Sequence, residues 1–548
     1  MSEKNIKKIG IRDALGEYIY TDIGVDADKV DIDVSTNLAE KLVEIDNKFE
    51  DLKAGGYASK DIYGDEKINL GRKVGTSAGP YSVTIGRDVS ATGFCSLAEG
   101  KGTAANGSYS HAEGDDTTAI GASAHSEGSY TKANQNYTHA EGHSTTASGV
   151  CGHSEGFGTT ASGYASHSEG YETTANGDYS HTEGRGTKAD GDYSHAEGNG
   201  TKANGNYSHS EGYETTASGD CSHAEGSHTT AEGNHSHAEG NYTKAIGIVS
   251  HVEGYKTTAN GDVSHVEGEG TTAEGDHSHS EGYYTTAIGN ASHTEGRDTK
   301  AIGEASHAEG GSTKADGDYS HAEGITTAAI GEASHAEGDG TKAIGIVSHA
   351  EGSDTQAIGI VSHAEGGGTK AGGNRSHAEG DNTKAIGEAS HAEGYNTTAS
   401  GDYAHAEGSH TTAIGNASHT EGRGTEAGGD HSHAEGDDTT AIGEASHTEG
   451  RGTKADGDYS HAEGDYTIAS GRAQHVQGQC NVEDTEGKYA HIVGGGTYEE
   501  RKNIHTLDWN GNAEFAGDVI IHDLNGNAIS LVNAISLINT ALTNANLL

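Results

Sequence analysis

A run of five residues, Ser-His-Ala-Glu-Gly, returns at fourteen-residue spacing: Ser110–Gly114, Ser194–Gly198, Ser320–Gly324 and Ser460–Gly464. From His111 to His475 every fourteenth residue is histidine, 27 in register out of 36 in the chain. Helical repeats and propeller blades need about 33 to 50 residues, so neither fits this period. One rung of a parallel β-solenoid does, with two strands of about five residues and two short turns. From Val83 to His475 the period predicts a stack of 29 rungs, roughly 140 Å long at about 4.8 Å per rung.

Composition narrows the reading. Only 31% of the 548 residues are hydrophobic, 5% are aromatic, and 86 are glycine. No core of large apolar side chains can be built from that. Hydrophobicity this low with a net charge of −50 would ordinarily mean disorder. The strict repeat overrides it, because a solenoid closes on backbone hydrogen bonds and small side chains. The acid excess argues against nucleic acid, whose binders carry basic patches. No run of about 20 apolar residues is present, so no transmembrane helix and no membrane insertion are expected. No secretory signal opens the chain, which predicts cytoplasmic synthesis with exit by another route.

The period of two along a strand sorts each rung into faces. Ser110, Ala112 and Gly114 point one way, and His111 and Glu113 the other. In the second strand Thr117, Ala119 and Gly121 share a face opposite Thr118 and Ile120. The small set recurs in each rung with few exceptions, Gln135 among them. It is therefore expected to line the interior, with Ala112, Thr117, Ala119 and Gly121 as its type residues. The outward face of the second strand varies freely, whereas that of the first is His and Glu almost throughout.

A constant outward face needs a constant neighbour. The expected arrangement is three chains side by side, with these faces turned to a shared axis. The ladder would run through His111 and Glu113, His125 and Glu127, and His139 and Glu141. It would continue through His195 and Glu197, His321 and Glu323, and His461 and Glu463. Each buried carboxylate must find a donor, and a histidine of a neighbouring chain can supply it, the carboxylate keeping the imidazolium favourable. Three imidazoles on a threefold axis could also hold a transition metal, although no cofactor is required. A merely solvated face is the bland alternative.

Outside the repeat, Glu17–Thr21 and Val30–Val34 read as short strands of an N-terminal attachment segment, residues 1–34. Leu38, Leu42, Ile45, Phe49 and Leu52 follow at heptad spacing, a coiled-coil neck over residues 35–56 closed by Gly55-Gly56. A helix of three turns cannot stand alone, which favours an oligomer neck. The shaft spans 57–478 and opens on a degenerate rung, Ile68–Gly71, with Pro80 tolerated at its edge. A β cap over 479–527 contains a turn at Asn510-Gly511 and a strand from Phe515 to Ile521. Leu531, Ile535, Ile538 and Leu542 restore heptad spacing in a trimerising helix over 528–548. Cys95, Cys151 and Cys221 share one column and read as small apolar fillers, neither disulfides nor ligands, as does Cys480. Tyrosines gather at the corners, as at Tyr109, Tyr179, Tyr193 and Tyr171. They are expected to cover edges, with stacking on sugars the sharper alternative.

The rung Ser82-Val83-Thr84-Ile85-Gly86, followed by Ser/Thr-x-Ala-x-Gly halves, resembles the head repeat of YadA-type trimeric autotransporter adhesins. The likeness covers about 400 residues. It implies an all-β fold, a trimeric left-handed parallel β-roll of 14-residue rungs flanked by short coiled-coil helices. Here His and Glu replace Val and Ile, and the signal peptide and C-terminal barrel of that family are not seen. The Ser-His-Ala-Glu-Gly array leading into Gln474–Gly478, Tyr489–Thr497 and Thr506–Gly517 also resembles tail-fibre and appendage proteins of phages and phage-derived elements of Gram-positive bacteria. Some of those trim off a C-terminal chaperone after trimerisation.

The resemblance implies a homotrimeric, receptor-binding fibre of a phage tail or phage-tail-like particle. Its N-terminus would meet a baseplate or adaptor, and its distal end a glycan or protein on the bacterial surface. The implied location is the particle, outside the cell after release. A cell-surface adhesin is the alternative in the binding class. A self-cleaving appendage or a polysaccharide depolymerase is the alternative among enzymes. No enzyme is expected, because each His and Glu of the pattern belongs to a repeated column while an active site is singular. Ice binding through threonine columns is disfavoured, since Thr117 and its equivalents face inward.

Overall fold

The computed structural model describes residues 9–12, 18–21, 58–59, 68–522 and 527–544. The proposed neck residues Leu38, Leu42, Ile45 and Phe49 lie outside them, as does Val30–Val34. The chain divides into two compact units, Met1–Ala175 and Asn176–Leu548. Among the described residues the fold is a parallel β-solenoid with one short C-terminal helix.

In the first unit, Ile9–Arg12 and Tyr18–Thr21 pair antiparallel. Ala58–Ser59 pairs antiparallel with Ile68–Arg72, which lies parallel to Val83–Ala91. That nine-residue strand runs through a corner and feeds both sheets, pairing with Leu97–Lys101 and with Ala104–Ala105. Regular rungs follow. Each has a five-residue strand such as His111–Asp115 and a two-residue strand such as Thr118–Ala119. The second strand is thus much shorter than the five residues expected from the period. Pairing is in register at fourteen residues, His on His and Glu on Glu.

The reason for the short strand is that each rung is two seven-residue halves, each ending in a left-handed residue. Asp116, Ser123, Tyr130 and Tyr137 have φ of 55°, 55°, 58° and 62°. This conformation costs about 1 kcal/mol or more for a residue with a Cβ. It is offset because the left-handed residue donates its N–H to the rung before, Asp116 to Lys101 O at 2.7 Å and Ser123 to Ser108 O at 2.8 Å. The column of Cys95, Cys151 and Cys221 sits at such a corner, and all three are exposed. They are therefore not interior fillers; Cys480 alone is buried, and all four are free.

The interior is alanine, threonine and serine. Ala112, Thr117 and Ala119 are wholly buried, and Gly121 is buried beside them. Gly114, by contrast, is half-buried with φ +115°, and a Cβ there would collide with the Gly128 carbonyl. It marks a close approach of successive backbones and is not part of the interior face. Within the rung, Ser110 Oγ donates to Gly107 O at 2.7 Å, closing the turn.

In the second unit the same rung repeats from His181–Arg185 to His475–Gln479. The stack ends on a side chain. Asn481, fully buried, accepts from Ile468 N at 2.7 Å and donates to Ile468 O at 2.9 Å. Its amide thereby replaces the strand of a next rung. Buried Gln474 likewise donates to Asp484 and to Tyr489 O. Tyr489–Gly495 continues the longer sheet, and Asn503–Asp508 and Ala513–Phe515 fold back antiparallel. The single strand expected from Phe515 to Ile521 is two: Ile520–His522 pairs separately with Ala528–Ser530. The break spans residues 516–519. Helix α1, Leu531–Asn544, starts after Ser530, whose Oγ accepts from Asn533 N in an N-cap. None of its residues is buried, and Val532, Ile535, Leu537 and Ile538 are 48–70% exposed.

Candidate functional site

The outward face of the five-residue strands carries the feature that the repeat keeps most constant. Register at fourteen residues lays each imidazole on the next. In the first unit His111 and His125 have ring centroids 4.7 Å apart with planes at 4°. In the second, His433 and His447 stack at 4.7 Å and 1°. The spacing is that of the β-ladder itself. His181 and His195 are the exception, meeting edge to face at 63°.

In many rungs the ring leans along its strand toward the glutamate two residues on. Nε2 stands 3.8 Å from Glu113 for His111, 4.0 Å from Glu127 for His125, and 3.9 Å from Glu141 for His139. In the second unit the distance is 3.6 Å for His195 and Glu197 and 3.8 Å for His321 and Glu323. Glu463 instead approaches the next histidine, His475, at 3.5 Å. The Nε2 atoms of His111, His125, His139, His195, His321 and His461 are sealed from solvent and make no hydrogen bond. About a third of each imidazole stays exposed, 32% for His111 and 38% for His321.

Burial and the neighbouring imidazoles push His125, His195 and His461 below the usual histidine value. His153 falls to about 4. Desolvation is the larger cause, adjacent histidines come next, and the carboxylates recover only part of the shift. Within one chain burial therefore favours the neutral form of these imidazoles, whereas the expected pairing with glutamate lies between chains. Donor atoms of His111, Glu113 and His125 lie within 4.8 Å of one another. That grouping spans two rungs of one chain, whereas the sequence suggested a metal shared between chains on an axis.

Two further columns were not singled out by sequence reasoning. Three residues before the histidine, an Asp or Asn accepts a hydrogen bond from the same position one rung earlier: Asp192 N to Asn206 Oδ1, Asn206 N to Asp220 Oδ1, both at 2.9 Å. The signal was present as the recurring Asp and Asn of that column. From Arg423 to Asp465 arginine and aspartate alternate four residues after the histidine, and Arg423 and Arg451 make two-pronged contacts to Asp437 and Asp465. The corner tyrosines form their own stack. Tyr179, Tyr193 and Tyr207 follow at 4.8 and 4.9 Å with nearly parallel planes. Within this trio only the middle ring, Tyr193, has both faces covered, while Tyr319 and Tyr403 elsewhere are 60% and 65% exposed.

The model of the YadA head domain repeat matches residues 98–124, 378–404, 392–418 and 434–453. In these stretches the shaft is similar to YadA head repeats. Head repeats of that kind imply trimeric assembly and suggest an adhesin-like fibre. A comparison with curated proteins gave no match. Among the described residues no helix is long and apolar enough to cross a membrane.

Proposed function

We propose that this chain forms the shaft of a homotrimeric attachment fibre, three copies meeting along their His/Glu faces. The observation that carries the reading is the contrast between two outward faces. One varies from rung to rung; the other presents histidine from His111 to His475 and glutamate from Glu113 to Glu463. In one chain that face is half-covered, with carboxylates and imidazoles side by side at 3.5–4.0 Å. Sister chains would bring donors to the glutamates and cover the remaining ring edges. Helix α1 supports the same assembly, since its apolar residues have nothing to pack on in one chain and a helix of four turns is marginal alone.

In this reading the fibre carries no reaction of its own and projects a distal end toward a bacterial surface. The attachment partner is a phage-tail baseplate or adaptor if the fibre belongs to a phage-like particle. It is the producing cell if the fibre is a surface adhesin. Sedimentation equilibrium tests the assembly: the mass should be three times the chain mass of 56.1 kDa. A single-chain species at micromolar concentration would overturn it. Gold-labelled antibody on cultures of the producing bacterium separates the two settings, marking either tail-like particles or cell envelopes.

A further inference from the structure

The distances between histidine and glutamate in the ladder are odd for a hydrogen-bonded surface. A hydrogen bond would close them to about 2.7–3.2 Å. His363 Nε2 lies 3.9 Å from Glu365, and His377 Nε2 lies 4.0 Å from Glu379. Two metal–ligand bonds of about 2.0–2.1 Å meeting at one ion span this gap with a bent angle. The ring of the next rung supplies a third donor. His363, Glu365 and His377 have their donor atoms within 4.8 Å of one another, and so do His391, Glu393 and His405. The four Nε2 atoms involved are sealed from solvent and have no hydrogen-bond partner. In the tautomer protonated at Nδ1, nothing competes for their lone pairs.

We infer that the rungs from His363 to His405 bind divalent transition-metal ions of the zinc class, each held by two stacked imidazoles and the glutamate between them. Imidazole and carboxylate together suit zinc better than the hard alkaline-earth ions. The rings stack at 4.7–4.8 Å, so they must tilt for both lone pairs to converge on one ion. Such tilts already occur in the ladder, 24° between His293 and His307 and 19° between His125 and His139.

The chemistry also sets the number of ions. His377, Glu379 and His391 form a third group that overlaps the other two. An Nε2 atom has one lone pair, so neighbouring groups cannot fill together. Filling alternate gaps uses all four histidines and keeps the ions two rungs apart, about 9.5 Å, which limits their repulsion. The expected occupancy of this stretch is two ions per chain. Every donor comes from one chain, so the inference does not rest on the trimeric reading.

The test is equilibrium dialysis of the full chain against Zn2+ after chelator treatment, with bound metal counted by mass spectrometry. A variant carrying His363→Gln, His377→Gln, His391→Gln and His405→Gln should bind two fewer ions per chain than the parent. A second variant, Glu365→Gln with Glu393→Gln, keeps the ring stack and should weaken those two sites at least tenfold. It decides the matter if the first variant fails to fold. A third, His235→Gln with His277→Gln and His431→Gln, removes exposed corner imidazoles and should leave the two sites unchanged. Equal zinc content in the first variant and the parent overturns the inference. So does unaltered affinity in the second, or an equal loss in the third, which would mark the binding as adventitious.

Discussion

The imidazoles of His153 and His167 lie face to face, centroids 4.7 Å apart and planes 2° from parallel. A proton on either ring therefore confronts the other at contact distance. His139 presses from the opposite side, and Glu155 and Glu169 are the carboxylates at hand. His153 is held at about 4 against an ordinary value of 6.5 by burial first and by these two histidines next. Below pH 6.5 the unfolded chain binds protons that the folded rung refuses. The histidines' contribution to stability is thus complete above about pH 6.5, shrinks as the pH falls, and is gone below the folded value. Thermal melts in chelating buffer should show the midpoint flat from pH 8 to 7 and falling steadily from 6.5 toward 4. A midpoint unchanged to pH 4 would contradict the neutral stack.

Ala336 faces Thr341 across the interior, and the threonine hydroxyl is buried with no partner. Where the equivalent residue is serine the hydroxyls meet, as Ser280 and Thr285 do at 2.8 Å. Ala336→Ser should therefore gain about 1 kcal/mol, read as slower amide exchange in that rung.

Val347 is a β-branched residue in the left-handed region, with φ 55°, at an exposed corner. Asparagine tolerates that conformation far better. Val347→Asn should stabilise the local rung by about 0.5–1 kcal/mol, with no change in secondary structure by circular dichroism.

Asn481 stands in for a missing rung by satisfying both backbone groups of Ile468. Asn481→Ala leaves them unpaired and should cost about 1–3 kcal/mol locally. The Ile468 amide should then exchange faster, while amides near His321 keep their parent rates.

Much of this molecule is legible because its period is one number applied many times. The interior positions Ala112, Thr117 and Ala119 follow from alternation along a strand and from the absence of large side chains. What the alternation hides is the corner. Ser123, Val347 and Cys151 carry side chains that give no hint of a left-handed backbone, because the reason for it is an N–H bond to the rung before. The seven-residue half-rung and the exposed cysteines were missed for that reason. At the histidines the sequence shows which groups share a face but not the balance of burial against charge. At His153 desolvation and repulsion from rings 4.7 Å away outweigh the carboxylates of the same chain. At the far end, Asn481 looks like any turn residue until its amide is seen bridging Ile468.

The central claim is that the His/Glu faces of three chains cover one another. Carbodiimide labelling of carboxylates in the native protein at pH 7, read residue by residue by mass spectrometry, tests it most directly. The glutamates from Glu113 to Glu463, close to half exposed in one chain, should resist modification, while Glu304 and Glu332, exposed at the corners, react freely. Modification of the glutamate column at the corner rate would mean that no sister chain covers that face, and the account would fail.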